Sequence, residues 1–239
     1  MAKYGSGSVA FFLVDGFNLA GESSSLADAT EAVLEETHGL TDAFVEQTPS
    51  GLRRAELAVE GFYDDATDKT NAALAGNQTS SRVVSYGVAG NTLAQSFVGL
   101  EGAFGGTYVR QATRGELTKA SATWTVTGQK DEGVILLPLA AVTATDYGGA
   151  QDNSASSASG GVAYLHVTAA SGTSPTLDVK VKDSADNATY ADLITFTQAT
   201  GVTAERKTVS GTVDQYLKIR YTIGGTDPSF TIAVGFARG

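Results

Sequence analysis

The feature that most constrains this chain is the strict alternation of apolar and polar residues in its last third. Leu177, Val179 and Val181 alternate with Asp178, Lys180 and Lys182, and Leu217, Ile219, Tyr221 and Ile223 interleave with Lys218 and Arg220. Phe230, Ile232, Val234 and Phe236 carry the same period toward the C-terminus. A period of two puts one side of an extended strand in a core and the other in water, and a helix has no use for it. Strands are expected at 161–169, 176–182, 193–197, 207–213, 215–223 and 229–236, with turns at 183–187 and 224–226. This spacing predicts an antiparallel sandwich.

The same signal, less regular, runs through the first half. Strands are expected at 8–15, at 32–37 and 43–47 around the turn His38-Gly39-Leu40, and at 51–63. In the last of these Ala55, Leu57 and Val59 take one side, and Arg54, Glu56 and Glu60 the other. Residues 64–76 break the alternation and predict one short helix, capped by Asp65 or Thr67 and ended by Gly76. Strands resume at 81–88 and at 92–104, bent at Gly99 or Gly102, then at 107–113 after a turn at Gly105-Gly106. The strand 118–127 sends Ala120, Ala122, Trp124 and Val126 inward, which places the only tryptophan in the core. A polar break at 128–133 predicts a boundary, giving a β-barrel or sandwich with one helix over 1–132 and a β-sandwich over 133–239. Pro138 marks 134–142 as an edge strand or connector. The Gly-, Ser- and Ala-rich stretch 146–161 reads as a long loop, mobile or at an interface. The fold class is all-β, mainly antiparallel, with one short α-helix, and 28 glycines against 4 prolines suit many short turns.

Charge narrows the function. The chain carries −10, and residues 22–68 hold twelve acids against two bases. Residues 1–132 have nine Lys and Arg against seventeen Asp and Glu, net −8; residues 133–239 have seven against nine, net −2. Acids interleaved with strand residues predict an acidic face, which repels nucleic acid. The basic pairs Arg53-Arg54 and Arg206-Lys207 make no patch, so specific nucleic-acid binding is not expected. Charged residues at 18%, against a usual value of about 25%, suggest a surface partly covered by neighbours.

Catalytic chemistry finds no foothold. Zero cysteines exclude disulfides and thiolate zinc sites. The two histidines, His38 and His166, read as structural, since acid–base work needs a positioned partner. The carboxylate pairs Glu35-Glu36, Asp64-Asp65 and Asp131-Glu132 would point to opposite faces of a strand, unlike the facing acids of a glycosidase. Asp183 to Asn187 resembles a calcium loop only loosely and is better explained as a hairpin turn. No catalytic residue, metal site or cofactor is expected. No apolar stretch nears about 20 residues, so no membrane partner and a soluble chain without an export signal are expected.

Glu-Glu-Thr-His-Gly at 35–39, Gly-Leu-Arg-Arg-Ala-Glu-Leu-Ala-Val-Glu-Gly at 51–61, Phe-Tyr-Asp-Asp at 62–65 and Asn-Ala-Ala-Leu at 71–74 stand in one order along the chain. In that order they resemble the tail tube (major tail) proteins of long-tailed bacteriophages. The order strand, strand, helix, strand, strand spans about 8–130. The stretches 177–187 and 224–236 resemble the extra sandwich domain that many phage virion proteins append. The resemblance implies a structural, non-enzymatic virion protein that forms hexameric rings, stacked head to tail, whose inner strands close a wide β-barrel. It implies assembly in the host cytoplasm with tape measure, terminator and tip proteins, and passage of double-stranded DNA without sticking. An acidic wall fits that passage, because a basic one would hold phosphates. Glu56 and Glu60 are the candidate lumen-facing acids, and residues 146–161 would order on assembly. The alternative is a virion surface module, a capsid decoration protein or glycan binder. It would display aromatics, for which Tyr147, Tyr190 and Tyr216 are the candidates.

Overall fold

A computed structural model of the chain describes residues 9–36, 47–67, 69–76 and 80–239. The turn at His38 and most of the strand expected at 43–47 lie outside the described residues. The elements are β1 (Phe11–Val14), β2 (Phe17–Asn18), β3 (Ser23–Glu36), β4 (Gln47–Phe62), α1 (Thr70–Leu74), β5 (Ser81–Gly87), β6 (Ser96–Gln111), β7 (Lys119–Val126), β8 (Lys130–Val142), β9 (Asp146–Tyr147), β10 (Gln151–Asp152), β11 (Gly161–Ser184), β12 (Ala191–Thr195), β13 (Thr203–Val209) and β14 (Tyr216–Arg238). The fold is all-β and antiparallel with one short helix, as expected. Its strands form one continuous sheet along the path β12-β11-β14-β8-β6-β5-β1-β2, with β7, β4 and β3 branching from β6.

Three apolar clusters hold this sheet together. The first lies within residues 134–237. Leu165 and Val167 of one half of β11 meet Leu177, Val179 and Val181 of the other half, together with Leu217, Ile219, Phe230 and Ile232 of β14. The β11–β14 ribbon is therefore bent, and both halves face one core. The second cluster packs Leu57, Val59, Leu100, Ala122, Trp124 and α1's Ala73 and Leu74. Trp124 is fully buried, edge-on to Phe12 at 6.0 Å. The third joins Phe11, Leu13 and Phe97 to Ile135, Val162, Tyr164, Ala233 and Ala237. β1 thus sends Phe12 and Val14 into one cluster and Phe11 and Leu13 into another, so the run Phe-Phe-Leu-Val does not alternate.

Several expected turns are strand. Gly105-Gly106 does not reverse the chain: β6 runs through it, with a register shift against β7 between Gly105 and Thr107. Gly224–Thr226 is likewise strand within β14: Gly225 (φ +112°) lies opposite a bulge at Ser174-Pro175 of β11, and β14 bulges in turn at Asp227-Pro228 opposite Gly172, with Asp227 at φ +48°. The polar break at 128–133 is mostly the start of β8, which pairs with β6 at Lys130–Val134 and with β14 from Val134 onward. Pro138 lies past the end of the β6 ladder, where among the described residues β8 pairs with β14 alone and as an edge, and it falls at a register shift where it owes no ladder bond. Residues 146–161 are not free: β9 and β10 pair with Arg220–Tyr221 and Tyr216–Leu217 of β14. β13 lies four residues earlier than expected, because Gly161–Val167 of β11 pairs with Val209–Thr203.

Candidate functional site: a projecting two-stranded hairpin

β3 and β4 form a long hairpin arm. They pair from Ser23↔Gly61 to Glu36↔Gln47. β4 also pairs with β7, but only over Ala55–Phe62. Beyond Ala55 the arm leaves the sheet as two strands alone. Among the described residues β3 pairs with no strand except β4, and it is exposed along most of its length. An alternating pattern needs one buried side, and 23–31, the edge strand over the rooted part of the arm, is exposed at nearly every residue, so it did not read as strand. A wide bulge marks the exit, with three β4 residues, Ser50–Leu52, opposite Val33. Gly51 takes φ +82° there, and the Ser50 hydroxyl donates to the Val33 carbonyl at 2.9 Å. Leu34 and Leu52 on the arm are 49% and 66% exposed.

The outward face of the arm continues across β7 and β6. Glu56 stands beside Ala29 and Thr125, Ala58 beside Ala27 and Thr123, and Glu60 beside Ser121. Thr107 and Val109 extend it. Both candidate acids, Glu56 and Glu60, are exposed on this face, as the strand phase implied. The face is small and hydroxylated rather than densely acidic. Glu31, Glu56 and Glu60 share it with Arg54 and Lys119, and the Lys119 ammonium lies 3.3 Å from Glu60.

Other acids of 22–68 are drawn elsewhere. Glu22 pairs with Lys69, and Asp28 turns inward to Lys130 at 2.8 Å and to the Tyr86 hydroxyl. Burial opposes ionisation of Asp28, but hydrogen bonds from Lys130 and Tyr86 outweigh it and lower the carboxyl below its ordinary range. The bases that neutralise these acids, Lys69 and Lys130, lie outside the segment, which is why the sequence overstated its acidity.

The remaining candidates resolve as structural. His166 is buried, with Nδ1 donating to the Asp15 carbonyl at 2.6 Å and Nε2 accepting from the Ser85 hydroxyl at 2.9 Å. Asp131 is buried and accepts from Tyr164 and from Arg206 at 3.0 Å, while Glu132 on the opposite face pairs with Lys130. The Asp186 carboxylate accepts from the Ala188 and Thr189 amides and the Ser184 hydroxyl, which pulls it to about 2 and closes a turn. One expectation is overturned: basic residues do cluster, with Lys180 opposite Arg220 and Lys182 opposite Lys218.

No family model and no curated protein matches the chain. Among solved structures, a protein in the virion of a native gene transfer agent particle is similar over 55% of this chain and 98% of that chain, at 11% identity and a TM-score of 0.42. The SPP1 Dit protein, described as a hub adsorption apparatus of phages infecting Gram-positive bacteria, is similar over 95% of this chain and 98% of that chain, at 10% identity and a TM-score of 0.35. A component of the six-fold symmetrised baseplate of the anti-feeding prophage is similar over 55% and 97%, at 10% identity and a TM-score of 0.35. At scores this low the functional reading rests on the hairpin itself.

Proposed function

We propose that the chain is a structural subunit of a phage-type tail, which self-associates into hexameric rings that stack into a tube conducting double-stranded DNA. The observation that carries this is the β3–β4 arm. A two-stranded ribbon is marginal in water on its own, and proteins do not leave a long edge such as β3 bare. Pairing of the β3 edge with a different edge of the next copy is a heterologous contact, and repetition of such contacts closes a ring. Exposed Leu34 and Leu52 supply apolar area for the same contact. In the ring the outward face of β4 and β7 lines the bore. DNA passes because small Ala, Ser and Thr side chains with a slight excess of carboxylate, Glu56 and Glu60 among them, give phosphates nothing to hold. Residues 1–132 build the ring and 133–239 form the outer sandwich. Tape measure, terminator and tip proteins are the further partners, and the virion tail, assembled in the host cytoplasm, is the location.

Negative-stain imaging of the purified protein at high concentration tests this. Rings or tubes about 100 Å across are expected, the width of a barrel made by several chains. Leu34→Asp with Leu52→Asp should abolish them and leave the circular dichroism of the subunit unchanged, because both side chains are solvent-facing. A wild-type protein that stays monomeric refutes the proposal.

A further inference from the structure

The outward face of the sheet formed by the second half of β11 and the first half of β14 gathers four cations. Lys180 stands opposite Arg220 and Lys182 opposite Lys218. β9 adds Tyr147 beside Arg220. The Arg220 guanidinium lies 4.7 Å from the centre of the Tyr147 ring. The Lys218 ammonium lies 5.1 Å from that ring and 5.3 Å from Tyr190. Lys180 donates to Asp192 at 2.5 Å, and Lys182 donates to the other oxygen of the same carboxylate. One carboxylate therefore serves two ammonium groups. Among the described residues, Lys218 and Arg220 form no ion pair and no side-chain hydrogen bond. Tyrosine faces hold these two cations by attraction to the ring and leave their N–H donors free. A cleft of about 280 Å³ opens over Tyr147, Lys180, Lys182 and Arg220, with Asp178 and Asp192 in its wall.

We propose that this cleft binds an anionic carbohydrate, a glycan carrying carboxylate or phosphate groups. The Arg220 fork takes either group in bidentate fashion, and Lys218 supplies a second charge beside it. A sugar also offers hydroxyl donors, which need acceptors. Asp178 and Asp192 provide them: among the described residues Asp178 accepts only from Gln198, at 3.0 and 3.2 Å, which leaves lone pairs over. That mixture of free cations and carboxylate acceptors separates the ligand classes. A DNA strand has no hydroxyl donors along its backbone to offer the two carboxylates, which then oppose its phosphates, and the tyrosine faces on which its bases would stack already carry cations. An acidic protein surface needs no acceptors and meets the same repulsion. On a chain of −10, a local field of this sign also steers anions to one place.

The site does not depend on the ring reading, because it lies on a face that the β3–β4 arm does not use. Calorimetric titration of the full chain at low ionic strength tests it. The probes are oligogalacturonate, which carries carboxylates, and a glycerol phosphate oligomer; a neutral oligogalactoside and duplex DNA are the controls. At least one anionic probe should bind, more weakly as salt rises, and the two arms show which group is preferred. Lys218→Glu with Arg220→Glu should weaken binding by about tenfold or more. Arg220→Gln gives the same direction with less perturbation if the double variant misfolds. Failure of both anionic probes to bind overturns the proposal. So do equal binding of the neutral oligosaccharide, tighter binding of DNA, or an affinity unmoved by both variants.

Discussion

His166 is wholly buried, and both ring nitrogens are committed. A carbonyl only accepts, so Nδ1 carries the proton to Asp15 and Nε2 must accept from Ser85. Protonation would place a charge out of reach of water and turn the Ser85 hydroxyl around; burial therefore lowers the imidazole to about 4, against the partial counter-effect of Asp15. The folded value lies below the unfolded one of about 6.5. Stability is then full above about pH 6.5 and falls by up to about 3 kcal/mol as pH drops toward 4, where the unfolded chain takes a proton that the folded chain refuses. Urea unfolding at about pH 7.5 and about pH 4.5 should show a larger acid loss for the native sequence than for His166→Gln. Equal losses would refute the assignment. Asp131 gives a second expectation. Its carboxylate is 5% exposed and holds the Arg206 guanidinium and the Tyr164 hydroxyl, so Asp131→Ala leaves two polar groups without their partner and should cost about 3 kcal/mol in urea unfolding.

At the scale of elements, what the sequence showed and what it hid have one cause. Alternation was legible wherever a strand has one wet and one dry face: Leu57 and Val59, Ala120 to Val126, Leu177 to Val181, Phe230 to Phe236. It placed Glu56 and Glu60 on the outward side of β4 correctly. It failed where another element supplies what the sequence lacks. Gly-Gly and Gly-Gly-Thr serve a bulge as well as a turn, so β6 and β14 read as two strands each. Lys130 and Asp131 looked like a loop because their partners, Asp28, Tyr164 and Arg206, are remote in sequence. The four-cation face was hidden for the same reason, since register alone brings Lys180 to Arg220. β8 supplies a test of this kind of help. Past Val134 it has, among the described residues, no neighbouring strand on the β6 side, and the Asn91 side chain stands in, donating to the Leu139 carbonyl at 2.9 Å and accepting from its amide at 2.7 Å. Asn91→Ala should destabilise the fold by about 1–3 kcal/mol, the cost of leaving such groups unpaired. A loss below a few tenths, measured by urea unfolding, would mean that water replaces the side chain.

For the whole molecule the question is whether the proposed parts, 1–132 and 133–239, are divided in stability as well as in task. The third cluster argues against it. Phe11, Leu13 and Phe97 share their cluster with Ile135, Val162, Tyr164, Ala233 and Ala237, with Val83 and Leu139 packed against it, and β8 belongs to the ladders on both sides. His166 reaches across to Asp15 and Ser85, and Arg206 to Glu101. Gly99 is a tight point of the seam: a methyl there would lie 2.4 Å from the Tyr164 ring, itself 5.6 Å from Phe97. Separation of the parts would expose these aromatic faces, at about 25 cal/mol for each Å² of apolar surface. Calorimetry of the intact chain should therefore give one transition, with calorimetric and van't Hoff enthalpies equal. Gly99→Ala, by forcing the seam open, should lower that single transition by about 1–3 kcal/mol in stability or split it in two. Two transitions in the native sequence would mean that the seam is only a contact. One transition would mean that a pull on residues 133–239 is felt at the β3–β4 arm, through β8 and the aromatic seam.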